Sequence, residues 1–141
     1  MRHITNAKAR QQGRRELRAV FKALRLKDGL TVDVEERVEP DDFIYWYNKA
    51  RNGDVGNYIV YETIASDPLK RADDAVIARE FYAQVDVFST RSFESKQLTD
   101  TLARLEEKLT EAGFEVEARE EDYEPDTRLY HQALFVSKMY S

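Results

Sequence analysis

The stretch AREFYAQVDVFS, Ala78 to Ser89, sets Phe81, Ala83, Val85 and Val87 on one parity and Tyr82, Gln84, Asp86 and Phe88 on the other. A period of two places successive side chains on opposite faces of a strand, so this stretch predicts a β-strand whose first set faces a core. Just downstream, Leu98, Leu102, Leu105, Leu109 and Ala112 recur at spacings of four, three, four and three, which gathers them on one face of a helix. Ser92 suits its N-cap and Gly113 its C-terminal stop. About two heptads is too short for a stable coiled coil, so the leucine stripe is expected to cover a sheet.

Upstream, Leu17, Val20, Phe21 and Leu24 share the face of a first helix, which Asp28 and Gly29 should end. Thr31 to Val38 alternates Val32, Val34 and Val38 with Asp33 and Glu35, a half-buried strand pattern broken at Pro40. Phe43 to Tyr47 and Tyr58 to Ile64 are aromatic and β-branched runs, read as two strands joined by a loop from Asn48 to Asn57. After Gly113 come a strand from Phe114 to Arg119, an acidic turn from Glu120 to Asp126, and a last strand from Leu129 to Met139 that is apolar on both faces. The expected fold is α+β, a mainly antiparallel sheet with two principal helices packed on it in the order α-β-β-β-α-β-β.

A chain of 141 residues fits one domain with one core. Its 42% hydrophobic and 35% charged residues are a soluble, globular balance. The longest apolar runs fall far below the roughly 18 residues that span a bilayer, and no membrane role or apolar signal core is expected. With no cysteine, disulfide and thiolate chemistry are excluded. The net charge of -5 hides a division: Met1 to Lys27 carries nine Lys or Arg against the single acid Glu16. Residues 1–15 have almost nothing apolar to bury, so they read as a basic arm, mobile in the free protein, preceding one domain over residues 16–141. A basic arm on an acidic body suits an acidic protein partner, or alternatively nucleic acid.

Enzyme constellations are weak. Glu120, Glu121, Asp122, Glu124 and Asp126 with His131 lack the glycine and the terminal glutamate of a calcium loop and read as a solvated turn. Pro40, Asp41, Glu94 and Lys96 make only a chance nuclease-like pattern, and five glycines leave little material for a cofactor loop. No catalytic residue, metal ligand or cofactor is expected.

The run Asp122-Tyr123-Glu124-Pro125-Asp126-Thr127, followed by Leu129-Tyr130-His131, resembles the end of the tail-terminator (tail completion) family of siphophages and prophages. The resemblance continues upstream through Tyr58-Ile59-Val60-Tyr61-Glu62, Ala72-Asp73-Asp74, Val85-Asp86-Val87-Phe88-Ser89 and Ala112-Gly113-Phe114, in the family's order, and covers Asn57 to Met139. The basic leader and the segment from Thr31 to Gly56 depart from it. The resemblance implies a structural virion protein rather than an enzyme. It implies a ring, usually of six copies, on the last ring of tail-tube protein, docked to a head-completion or connector protein, with DNA passing through without specific binding. Its place would be the head-proximal end of the tail, and the host cytoplasm during assembly. Candidate partner or subunit contacts are Arg10, Arg14, Arg15, Arg18, Tyr45, Trp46, Tyr47, Asp73, Asp74, Phe88, Tyr123 and Tyr130. More broadly, the aromatics, Tyr82 and Tyr140 among them, outnumber what one small core can be expected to bury. The alternative function is a nucleic-acid-binding module that uses the basic N-terminal helix.

Overall fold

A computed structural model describes residues 3–24, 33–37 and 57–141. Helix α1 spans Asn6–Ala23, and strands β1 (Asp33–Arg37), β2 (Tyr58–Ala72) and β3 (Ala75–Ser89) follow. Helix α2 (Lys96–Glu111), β4 (Glu115–Glu124) and β5 (Leu129–Tyr140) complete the chain. The expected α+β fold is the one found. The five strands lie in the order β1-β2-β3-β5-β4, antiparallel except where β1 runs parallel to β2. Of the expected strand Thr31 to Val38, Asp33–Arg37 is β1; the expected strand Phe43 to Tyr47 and the loop from Asn48 to Gly56 lie outside the described residues.

Strand β3 sits at the centre because its alternation serves both faces. Phe81, Ala83, Val85 and Val87 are buried under the helices, as their parity predicts. β2 and β3 extend past the expected bounds, joined by a tight turn in which Asp73 and Asp74 both take positive φ, 49° and 63°. Two successive left-handed residues match the right-handed twist of a hairpin, and aspartate tolerates that region better than bulkier residues. Pro68 is accommodated near a register shift in β2, beyond the part of that strand that β1 pairs.

The main departure from expectation is at the amino terminus. Residues 6–15 are not a separate arm but the first half of α1, and the domain begins before residue 16. Thr5 caps the helix, its side chain accepting from Lys8 N at 3.1 Å. Ile4 N donates to Val76 O at 2.7 Å, and Val76 N donates to His3 Nδ1 at 2.9 Å, which ties the leader to the β2–β3 hairpin. Gly13 and Ala9 are buried one and two turns before Leu17 on the same stripe. The segment lacks apolar periodicity because its core positions are small: a Cβ built on Gly13 would meet the Phe81 ring at 2.6 Å. Small residues here let the helix approach the sheet. α1 ends at Ala23, with Leu24 as an extended C-cap, before Asp28 and Gly29.

α2 is capped by Ser95 rather than Ser92; the Ser95 side chain accepts from Leu98 N at 3.1 Å. Its exit at Gly113 (φ 93°) is as expected. Gly113 N donates to Thr110 O and Phe114 N to Leu109 O, each at 3.0 Å, and Phe114 joins Leu109 in the core, a Schellman ending with its apolar contact. Leu98, Leu105 and Leu109 are buried on the sheet and Leu102 packs at its margin. Most of the expected acidic turn is strand: β4 continues to Glu124, and the bend is confined to residues 125–128. Arg128 N donates to Glu124 O at 2.7 Å and Thr127 Oγ1 to Glu124 Oε1 at 3.0 Å, so Glu124 holds the turn. The register shift between Ala118 and Glu121 has its own partner, the Gln132 amide, which donates to Arg119 O at 3.2 Å and Glu120 O at 3.3 Å.

Two outcomes follow from the close approach of α1. Gly13→Ala should lower stability by about 1–3 kcal/mol despite alanine's better helix propensity, because the added methyl overpacks a fully buried ring. Phe81→Leu should relieve part of that loss in the double variant, measured as a coupling in denaturant unfolding; simple additivity would contradict it. Deleting residues 1–15 should leave little cooperative unfolding, since it removes the cap and half of the helix packed on Phe81. A melting transition unchanged by that deletion would restore the separate arm.

Candidate functional site

Three of the four basic candidates are used inside the molecule. Arg10, Arg14 and Arg18, one turn apart on α1, reach β2 in sequence: Arg10 Nη2 donates to Ile64 O at 3.1 Å, Arg14 Nε to Thr63 Oγ1 at 3.0 Å, and Arg18 Nε to Tyr61 Oη at 3.2 Å. Tyr61 is buried with its ring 5.0 Å from Phe21, so the Arg18 bond also satisfies a buried phenol. Arg15, on another side of α1, is exposed.

The aromatic and acidic candidates divide. Tyr45, Trp46 and Tyr47 lie outside the described residues. Asp73 and Asp74 make the hairpin turn, exposed at the tip. Tyr123 and Tyr130 are cross-strand partners with ring centroids 4.8 Å apart, and Phe93 meets Tyr130 edge-on at 5.4 Å. Tyr123 is 43% exposed, which leaves this aromatic ledge open at one end. Tyr140 is buried, against the expectation that it helps make a surface.

Phe88 belongs to a cluster on the sheet face away from the helices. Its ring stacks on His131 at 4.3 Å with an 8° interplanar angle. His131 Nε2 lies 2.7 Å from Asp86 Oδ1, and the Gln84 amide donates to both Asp86 oxygens at 3.0 and 3.1 Å. Asp86 is buried, and these bonds compensate its carboxylate for lost water. Among the described residues no group of three or more His, Asp or Glu is placed to hold a metal ion. Sequence parity separates Gln84, Asp86 and Phe88 from the core set, but His131 comes to them only through the β3–β5 register, which pairs Phe88 with His131.

Farther along the same face, Tyr82 pairs with Ser137 and Glu80 with Met139. Tyr82 and Met139 are 37% and 54% exposed, and Ile64, at a register shift in β2 beside the Ala65–Tyr82 pair, is 38% exposed. Phe135 lies under the Arg119 guanidinium, 4.5 Å from its ring centre. A notch of about 190 Å³ opens between Tyr82, Phe135 and the start of β4.

On the helix side, Glu16 accepts from Lys138 Nζ at 3.1 Å and from the Tyr140 hydroxyl, and Lys138 Nζ also donates to Ala112 O at 2.6 Å. One lysine thus joins α1, the C-terminus of α2 and β5, where a cation is favoured by the helix dipole. Burial, then the Glu16 hydrogen bond and its negative charge, hold the Tyr140 phenol well above the usual tyrosine range.

No family model and no curated protein matches this chain.

The Tyr140 shift gives an alkaline signature. Folded Tyr140 keeps its proton above the pH near 10 at which the unfolded chain releases it, so its contribution to stability is complete below that pH and shrinks as pH rises further. Tyr140→Phe should flatten the alkaline decline in unfolding free energy. An equally steep decline in the variant would contradict this assignment.

Proposed function

We propose that this chain is a structural assembly protein of the tail-terminator kind, which forms a ring on the finished tail tube and joins it to the head. The observation that carries the reading is the exposed apolar pair Tyr82 and Met139, which the β3–β5 register puts on the outer sheet face with Phe135. A small domain that leaves such side chains together in solvent is suited to a protein partner. The motifs that carry the resemblance fall at the start of β2, the hairpin turn, the end of β3, the exit of α2 and the β4–β5 turn. The partners are further copies of the chain, a tail-tube protein and a head-completion protein, and the working place is the head-proximal end of the virion tail, reached from the host cytoplasm. The ring contacts would be weak until a tube offers a template, because subunits that closed early would be lost to assembly. The nucleic-acid reading has less support, since Arg10, Arg14 and Arg18 are engaged with β2.

Deleting the gene from its replicon should yield filled heads and tails that do not join. Supplying the wild-type chain should restore joined virions in electron micrographs, and a Tyr82→Glu, Met139→Glu variant should not, while melting within a few degrees of wild type. Normal yields of joined virions without the gene would overturn the reading. Full rescue by the variant would remove the outer face from it.

A further inference from the structure

Strand β4 ends the sheet, and among the described residues no strand pairs its far edge. Its ten residues are exposed except for Val116 and Glu124, which are half-buried. An edge of this length offers a row of unpaired N–H and C=O groups, a template for one more strand. Its side chains decide what such a strand can be. Glu115, Glu117, Glu120, Glu121, Asp122 and Glu124 stand against the single base Arg119. A second copy of β4 would bring like charges directly opposite one another, which disfavours pairing of this edge with itself. An extended segment bearing lysine or arginine meets the opposite condition.

The register places Glu115 and Glu117 on the outer face, opposite Ser137 and Phe135. Both line the notch of about 190 Å³ whose floor includes Tyr82, Val116 and Phe135. The edge therefore combines what strand addition uses: main-chain groups for affinity, and a side-chain recess with a charged rim for selectivity. Arg119 is already committed, its guanidinium over Phe135 and its Nη2 3.2 Å from Glu117 Oε2.

We propose that the free edge of β4 is a docking site for an extended basic segment of a partner protein, which adds as a sixth strand beside β4 and seats an apolar side chain in the Tyr82–Phe135 notch. The proposal goes beyond the assembly reading and does not depend on the partner being a virion protein.

The test uses the full chain and a labelled ten-residue peptide alternating lysine with valine. Two controls accompany it: the glutamate–valine peptide, and a lysine–glycine peptide of the same charge. Anisotropy should show saturable binding of the lysine–valine peptide, with the glutamate–valine control at least about tenfold weaker and the lysine–glycine control several-fold weaker. Hydrogen exchange should slow at β4 amides. Glu115→Lys with Glu117→Lys, both exposed, should weaken binding about tenfold without changing the melting temperature. Absence of binding, or protection falling elsewhere than β4, would overturn the proposal. Equal binding of the lysine–glycine peptide would also overturn it, by reducing the contact to bare charge attraction. None of these outcomes bears on head–tail joining, so the two readings fail separately.

Discussion

The ring of Phe81 against the bare backbone of Gly13 is the contact on which the rest of the fold depends. Phe81 is fully buried on the central strand, with Phe114 at 6.5 Å and Tyr140 edge-on at 6.2 Å. It therefore touches α1, the residue that leads from α2 into β4, and the end of β5. Any side chain at Gly13 would lift the helix off the sheet, and with it Ala9 and Leu17, which are buried on the same stripe. Interiors pack nearly as densely as organic crystals, so such a change is not absorbed locally.

Around that apolar centre the polar groups act as ties between elements. Glu16, Lys138 and Tyr140 bind α1 to β5 and to the end of α2, and the arginines of α1 bind its other side to β2. Asp86 with Gln84 and His131 does the same between β3 and β5 on the opposite face. A one-residue slip of β5 would turn His131 to the helix side and leave a buried carboxylate short of a partner, so this cluster helps specify the register.

The molecule is asymmetric about its sheet. Both described helices cover one face; the other combines a polar cluster near Phe88 and His131 with exposed apolar groups near Tyr82 and Met139, and the sheet ends in an acidic edge. Two distinct surfaces on one small domain are what a subunit with more than one kind of neighbour requires. The proposed assembly role draws on the outer face, and the proposed strand addition on the edge and on the Tyr82–Phe135 notch where the two surfaces meet.

Local periodicity alone determined a good part of this. The alternation in Phe81 to Val87, the leucine stripe of α2, the Gly113 exit and the two-faced last strand were all legible, because each is dictated by the geometry of a single element. Tertiary structure decided the remainder. The helical leader was hidden because its buried positions are Ala9 and Gly13, whose value lies in the ring they admit and not in their own hydrophobicity. The length of β4 was hidden because an exposed acidic strand carries no apolar alternation and is held only by pairing with β5 and by the Gln132 amide at its register shift. The surface candidates divided for the same reason. Charge and aromaticity mark Arg14, Arg18 and Tyr140 as readily as Arg15 and Tyr123, and only the placement of Thr63, Tyr61 and Glu16 decides which of them are bonded within the molecule.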